Sequence, residues 1–432
     1  MQFQIPKGTF DILPYGTDEA WRQSALWQYV EEIIRKTAAD YGYSEIRTPI
    51  YERSELFDRG VGETSDIVSK EMFTFEDKGG RSISLRPEGT SSVMRSFVEN
   101  HMANLGPVHK FFYIGPMFRY ERPQSGRYRQ HHQFGVEAIG VGAPEQDAEV
   151  IDLLLQVYHR LGIRGLKVHL NTVGDPASRI AFRTALMEFL RPHLPNLSPD
   201  SQMRFEKNPL RILDSKDPKD REILQRAPSI LDYLSDAAKE HFEQLCRILD
   251  NLGITYQIDP KIVRGLDYYN KTVFEVISEN LGAQSTIGAG GRYDGLIGSF
   301  DGPDLPGVGF ATGLERVLQV MAAQGAKMPK NEHPCIYLIP LGSEARVKCL
   351  QLATKCRHNG IPAGIELSSQ KIQTALQNAA RLEATYCAVI GSDEMAKGTM
   401  QLKTMATREA REVRFEELLT FLQRESAHAH TM

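Results

Sequence analysis

Apolar side chains recur at helical spacing over 18–41, where Trp21, Ala25, Tyr29, Ile33 and Tyr41 form a stripe with Val30, Ile34 and Ala38 beside it. This spacing predicts a helix opened by Thr17 or Asp18 and closed by Gly42. The pattern then changes. "SEIRTPIYER" (44–53) reads as extended, and Pro49 predicts a kink or a sheet edge. From about 72 to 140, short runs ("SISLRP", "KFFYIGPMFRYE", "HHQFGVEAIG") flank one helical stretch near 90–102. Antiparallel strands with few helices between them are expected. "EQDAEVIDLLLQVYHRL" (145–161) predicts a helix ended by Gly162, and "LKVHLNTVG" a strand.

Over 175–252 the pieces are bounded by Pro, rich in Arg, Lys, Asp and Glu, and free of strand alternation. They predict a mostly helical insertion. Strand-like segments resume at 254–277 and 283–293, and a Gly-rich strand-to-helix segment spans 307–323. A polar linker, 326–333, follows. After it "CIYLIPLG", "IPAGIEL", "ATYCAVIGSD" and "TMQLKTM" alternate with helices to about 358, at 369–382 and near 415–424. Alternation of this kind over 334–424 predicts a small separate α/β domain, with 425–432 as a tail.

At 432 residues the chain exceeds one ordinary core, so two or three domains are expected. A formal net charge of −4 argues against nucleic-acid binding through bulk charge; any such surface must be local. No apolar run approaches the ~18 residues of a membrane span, and "MQFQIPKGTFDILP" does not read as a secretory signal. Cys246, Cys335, Cys349, Cys356 and Cys387 form no CxxC pair and no zinc spacing. Reduced, mostly buried thiols in a cytosolic protein without a structural metal site are the expectation.

Neither GxxxxGK[ST] nor GxGxxG occurs. A nucleotide would therefore have its phosphates held by side chains, chiefly arginines. "FRYERPQSGRYRQHHQFGVE" (118–137) offers Arg119, Arg122, Arg127 and Arg129, whose guanidinium forks suit phosphate. It reads as two strands joined by a loop. Residues two apart share a strand face, so Arg119 and Glu121 point together, as do Gln133, Gly135 and Glu137. Gly135 leaves room for something to lie across that face. A solvated charged hairpin is the plainer alternative. In "SLRPEGTSSVMR" (84–95), Glu88-Gly89-Thr90 sits between strand and helix, where backbone N–H groups collect ligand atoms or merely cap the helix. "VRGLDYYNKTVFEV" (263–276) leads into a strand, on which Tyr268 and Tyr269 would point to opposite faces. "GAGGRYDGLIG" (288–298) and "GVGFATGLERVLQVM" (307–321) are Gly-rich, as a close backbone approach or a tight connection requires. Glu315 and Arg316 open the helix after the latter.

Together these five segments closely resemble the histidyl-tRNA synthetases, class II aminoacyl-tRNA synthetases, nearly end to end. "GYSEIRTPIYE" resembles the class's dimer-interface motif, "FRYERPQSGRYRQHHQFGVE" its second motif and "GVGFATGLERVL" its third. "RGLDYY" and "GAGGRYDGL" resemble the two histidine-specific motifs, and 334–424 the anticodon-binding domain. The fold implied is α+β: a class II antiparallel-sheet catalytic domain over 1–325 with a helical insertion, plus a C-terminal α/β anticodon-binding domain. The reaction implied joins L-histidine to ATP as histidyl-adenylate with release of pyrophosphate, then passes histidyl to the 3′ end of tRNA. Mg²⁺ accompanying ATP, a homodimer and a cytoplasmic location are also implied.

The resemblance further assigns roles. Arg264 and Arg119 would be catalytic at the α-phosphate, with Arg119 also meeting the substrate carboxylate. Glu88 and Thr90, with Gln133, would hold the α-amino group, Gly89 and Arg264 would also belong to the histidine site, and Glu137 and Tyr269 would bracket the imidazole with Tyr268 alongside. Glu121 would lie near the adenine, Arg127 at the outer phosphates, and Arg316 over the adenine. The family usually has Phe at the position of His131, which would stack on the base. His132 matches a structural histidine. Two alternatives are a synthetase-like regulatory subunit of histidine biosynthesis, and a synthetase for proline, threonine or glycine. The former typically lacks the anticodon-binding domain and has eroded motifs; the latter has no use for partners to two ring nitrogens.

Overall fold

Two compact units divide the chain, Met1–Pro329 and Lys330–Met432. The structure, a computed structural model, describes residues 3–62, 65–123, 126–262, 266–279, 286–326, 333, 335–368 and 371–429. In the first unit the strands are β1 Ser44–Glu45, β2 Tyr51–Arg53, β3 Thr74–Glu76, β4 Ser82–Leu85, β5 His109–Phe118, β6 Gln130–Ile139, β7 Leu166–Thr172, β8 Tyr256–Ile258, β9 Asn270–Ser278, β10 Thr286–Arg292 and β11 Gly307–Gly313. Eight of these form one sheet in the order β1-β5-β6-β11-β10-β9-β7-β8. Its pairings are antiparallel except at the edges, β1 with β5 and β7 with β8. The smaller sheet, β2-β4-β3, is antiparallel. The expected antiparallel α+β architecture is present.

Alternation along the central strands separates two faces. Phe112, Phe134, Val136, Phe274, Val276 and Phe310 point to the main core and are buried. Helices Ser24–Asp40, Pro144–Arg160 and Leu314–Ala323 supply the opposing layer, with Trp27, Val30, Leu154, Val157 and Leu318 buried against it. Removing a fully buried Phe such as Phe134 should cost about 3–5 kcal/mol. Helix Pro144–Arg160 shows why it forms: Pro at its start, Glu145 and Asp147 in the first turn, His159 and Arg160 in the last. Those charges oppose the helix dipole, and Gly162 leaves the helix at φ +76°.

The first helix begins later than its apolar spacing predicts. A 3-10 turn, Ala20–Arg22, precedes it, and Gln23 is the cap; Thr17 instead accepts from the Glu19 N–H. Backbone pairing is the reason. Leu13 donates to Arg22 O at 3.0 Å and accepts from Ser24 N at 2.9 Å, which holds 22–24 extended. The buried stripe accordingly runs through Leu26, Trp27, Val30, Ile34, Thr37 and Ala38.

Short helices and 3-10 turns make up most of 176–251, from Pro176–Leu190 to Asp236–Asn251, with a local core of Phe182, Leu186, Leu190, Phe205, Ile212 and Leu224. In the second unit, β12 Ile336–Pro340, β13 Ala363–Ile365, β14 Tyr386–Ile390, β15 Thr399–Thr404 and β16 Ala410–Arg414 lie in the order β13-β12-β14-β15-β16. Helices Ser343–His358, Ile372–Arg381, Ser392–Lys397 and Leu418–Ala429 complete it among the described residues. Strand β16 is a structural addition to the sequence pattern, whose exposed residues Ala410, Arg411 and Glu412 hide strand alternation.

Candidate active site

On the face of the large sheet opposite the main core, Tyr113 and Val273 pack in a second cluster with Val93, Met94, Phe97, Leu296 and Ile297, and the remainder is open. Register aligns Tyr113, Gly135, Ala311, Ala289 and Glu275 across five strands, with Phe111, Glu137, Gly309, Gly291 and Val273 in the next row. Glycine and alanine in the middle make a floor, and polar side chains at the margins make a rim. A cavity of about 440 Å³ lies above it. Arg119, Glu121 and Arg127 line one side of the cavity together with His131, Gln133 and Arg316. Glu88, Thr90, Tyr113, Tyr268, Tyr269 and Tyr293 line it too.

Arg119 and Glu121 do point together, and their side chains approach to 3.9 Å. They lie beyond the end of β5, however. Arg119 N still pairs across with Arg129 O at 2.9 Å, and the hairpin splits after it, where Tyr120 N turns to Glu71 O at 2.6 Å and Arg129 N to Gly8 O at 2.7 Å. Arg119 Nε donates to Pro87 O at 2.9 Å, and Arg127 meets Glu121 at 3.0 Å. Only two of the four arginines in this stretch line the cavity. Arg122 is exposed, and Arg129 lies over the Tyr120 ring at 3.8 Å. Arg316 donates to Gly126 O at 3.1 Å and Thr286 O at 2.6 Å, spanning two segments of the rim.

Glu88 accepts from the backbone N–H groups of Thr90 (2.6 Å) and Ser91 (2.9 Å), so it caps helix Thr90–Glu99 and faces the cavity at once. Each of its oxygens keeps a lone pair for a further donor. Gln133 donates toward His131 Nε2 at 3.4 Å, while its carbonyl oxygen is buried without a hydrogen-bond partner among the described residues. Such an acceptor is costly unless a ligand satisfies it. Burial and the nearby Arg119 and Arg316 guanidiniums push the His131 ring well below the ordinary imidazole range, so it is neutral.

Glu137 lies beneath the wall, 1 % exposed. Thr90 Oγ1 donates to it at 2.7 Å, and the Tyr293 hydroxyl takes its other oxygen. Burial pushes its carboxyl up to about 8, against the opposing pull of those hydrogen bonds. Tyr113, Tyr268 and Tyr293 are held well above the ordinary phenol range, mainly by burial, and remain hydroxyl donors.

Two expectations change here. The room beside Gly135 is taken by the protein itself, since a Cβ at Gly135 or Gly89 would strike the Tyr113 ring. Tyr268 and Tyr269 do not divide between faces. They precede β9 in a turn, where strand alternation does not apply, and both line the cavity with ring centroids 4.7 Å apart. Arg264 lies outside the described residues. Glu315 and His132 are structural: the carboxylate accepts from His132 N and Nδ1 at 2.9 Å, joining helix Leu314–Ala323 to β6. Arg292 is equally internal, paired with Asp147 and Asp294 at zero exposure.

Sequence reasoning missed Tyr113, Tyr293 and Glu275, as well as Arg211, Asp214 and Lys216 of the insertion, all of which line the cavity. Tyr113 could have been found from its placement two residues before Gly115 on the strand that continues to Arg119. Nothing local marks the insertion residues.

Among the described residues no cluster of three or more His, Cys, Asp or Glu could hold a metal ion. No helix among them is long and apolar enough to cross a membrane.

Comparison with known proteins identifies relatives over nearly the whole chain. The family model described as histidyl-tRNA synthetase matches residues 15–317, and that of an anticodon binding domain matches 336–425. The histidine–tRNA ligase of Protochlamydia amoebophila is 56% identical over 97% of this chain and 99% of its own length. That of Anoxybacillus flavithermus is 49% identical over 96% and 97%. The crystal structure of apo S. aureus histidyl-tRNA synthetase superposes with a TM-score of 0.82 at 37% identity, covering 98% of this chain and all of that one. Matched over nearly its whole length by both sequence and fold, the chain belongs to the histidyl-tRNA synthetase family of ligases.

Proposed function

We propose that the protein activates L-histidine with ATP and transfers the histidyl group to the 3′ end of its tRNA. The observation that carries this reading is one cavity joining guanidiniums (Arg119, Arg127, Arg316) to a carboxylate and phenols (Glu88, Tyr269, Tyr293), with Glu137 bonded to Tyr293 just beneath them. The substrate carboxylate is already ionised when it attacks the α-phosphorus, so no general base is required. Positioning and neutralisation of phosphate charge supply the catalysis.

In this reading Arg119 and Arg264 serve the α-phosphate and Arg127 the outer phosphates. Arg316 covers the adenine near Glu121, and the neutral ring of His131 stacks on it. Mg²⁺ arrives with ATP as part of the substrate. Glu88, Gly89, Thr90 and Gln133 take the α-ammonium; the unpaired Gln133 carbonyl supports that assignment. Glu137 and Tyr269 bracket the imidazole, with Tyr268 alongside. For the ring to reach it, Glu137 must exchange its Tyr293 hydrogen bond for one from the substrate. A site holding such buried partners rejects apolar side chains, which would leave them unmet.

The anticodon-binding unit places the tRNA, and a homodimer in the cytoplasm is the functional form. Five free thiols, three of them buried, are consistent with a reducing compartment. Labelled pyrophosphate should exchange into ATP when histidine is supplied. Absence of exchange with histidine, or equal exchange with proline, would overturn the reading.

A further inference from the structure

Arg211, Asp214 and Lys216 belong to the helical insertion, yet they line the same cavity as Arg119, Arg127 and Arg316 of the sheet side. Arg211 lies in the 3-10 segment Pro209–Ile212, and the turn that follows carries Asp214 and Lys216. Its backbone is pinned at Ser215, whose hydroxyl donates to Asp220 Oδ2 at 2.6 Å and accepts from Asp217 N at 3.3 Å. Asp220 is fully buried and also accepts from Ser198 N, Ser198 Oγ and Ser201 Oγ at 2.6–2.7 Å. One carboxylate therefore gathers three segments of the insertion. Burial would raise its carboxyl, but the hydrogen bonds from Ser201, Ser215 and Ser198 hold it below the usual carboxylate range. A buried charge satisfied this fully resists displacement.

The other end of the segment is tied to the body of the unit. Asp66 receives Arg204 at 3.4 Å and Arg211 at 3.8 Å, and Asp267 accepts from the Asn208 amide at 3.2 Å. Residues 208–216 are clamped at both ends, while the Lys216 side chain stays exposed at the cavity wall. The sheet side leaves charge to be supplied. Arg119 and Arg127 both approach Glu121, which offsets part of their field toward a triphosphate.

We propose that Lys216 is a phosphate-contacting residue of the activation step, delivered by the insertion and positioned by Asp220 through Ser215. This gives the insertion a part in the chemistry before any tRNA is bound. The inference rests on the reading of this cavity as the nucleotide site.

The test is histidine-driven exchange between ATP and pyrophosphate without tRNA. Lys216→Ala should raise the KM for ATP about tenfold and leave that for histidine within about twofold; Lys216→Arg should recover most of the loss. Ser215→Ala, which frees the turn but keeps the lysine, should move the same constant in the same direction by less. Unchanged exchange kinetics in Lys216→Ala would overturn the proposal. If its KM for tRNA in aminoacylation rose alone, the lysine would belong to the acceptor arm instead. Wild-type exchange is measured alongside: its absence would reject the reading of the cavity itself, whereas its presence confines any failure to Lys216.

Discussion

Glu137 is a carboxyl kept neutral by its surroundings, and that state is measurable. Its folded value of about 8 lies above the value near 4.5 expected when unfolded. Below the lower value both states carry the proton and pH has no effect. Between about 4.5 and 8 the unfolded chain ionises while the folded one does not, so the folded state binds more protons and stability falls as pH rises. Above about 8 the fall levels off. The accumulated loss is on the order of 3–5 kcal/mol. Glu137→Gln keeps the shape and removes the titration. Urea unfolding of both proteins from pH 5 to 9 should show the variant gaining on the wild type up to about pH 8; parallel profiles would refute a neutral Glu137. Glu137→Ala, which removes the side chain's hydrogen-bonding atoms altogether, should raise the KM for histidine by roughly tenfold or more with little change for ATP, because only the ring loses its partner.

Elements are joined at this site by internal charges rather than by loops. Arg292, at the end of β10, reaches Asp147 in the first turn of helix Pro144–Arg160, Asp294 at 3.1 Å, and the carbonyls of Val141 (3.0 Å) and Ala143 (3.3 Å). The turn that carries Tyr293 to Glu137 is fixed to the helix in this way. Asp147→Ala would leave a fully buried guanidinium short of its main counter-charge, a loss of about 3–5 kcal/mol. A shift in the urea midpoint at pH 7 reads it; a change under about 1 kcal/mol would mean that Asp294 and the carbonyls suffice. At this scale the sequence was most informative where neighbours along the chain decide the outcome. The strand-turn-strand around Arg119, the helix after Glu88 and the bare strands near Gly291 and Gly309 all follow from local pattern. It failed where a distant backbone intervenes, as when Leu13 moves the helix start to Ser24. It failed again where a distant side chain fills space, as with Tyr113 over Gly135 or Lys216 from the insertion. Such closures depend on residues far apart in the chain, which local periodicity does not register.

On the scale of the whole molecule, the small sheet presents an unusual face to solvent. Cross-strand pairing puts Arg53, Ile83 and Phe75 in one row and Tyr51 with Leu85 in the next on the same side. The opposite side is tied by the Ser54, Ser82, Ser84 and Thr74 hydroxyls. Tyr51 is 56 % and Phe75 48 % exposed, with Ile50 beside them at 44 %. Aromatic anchors of this kind mark the centre of a protein interface, and Ile50 and Tyr51 lie within the segment that resembles the class's dimer motif. A second copy is the occupant consistent with both facts. In a two-fold contact each substitution acts twice, so Tyr51→Asp with Phe75→Asp would bring four new charges into one interface. The dimer should weaken by roughly a thousandfold or more. Sedimentation velocity at micromolar concentration should give twice the chain mass for the wild type and a single chain for the double variant. Exchange activity should fall with the dimer fraction if the two sites depend on the contact. A variant that remains dimeric would move the interface elsewhere on the surface, and a monomeric, active wild type would remove it.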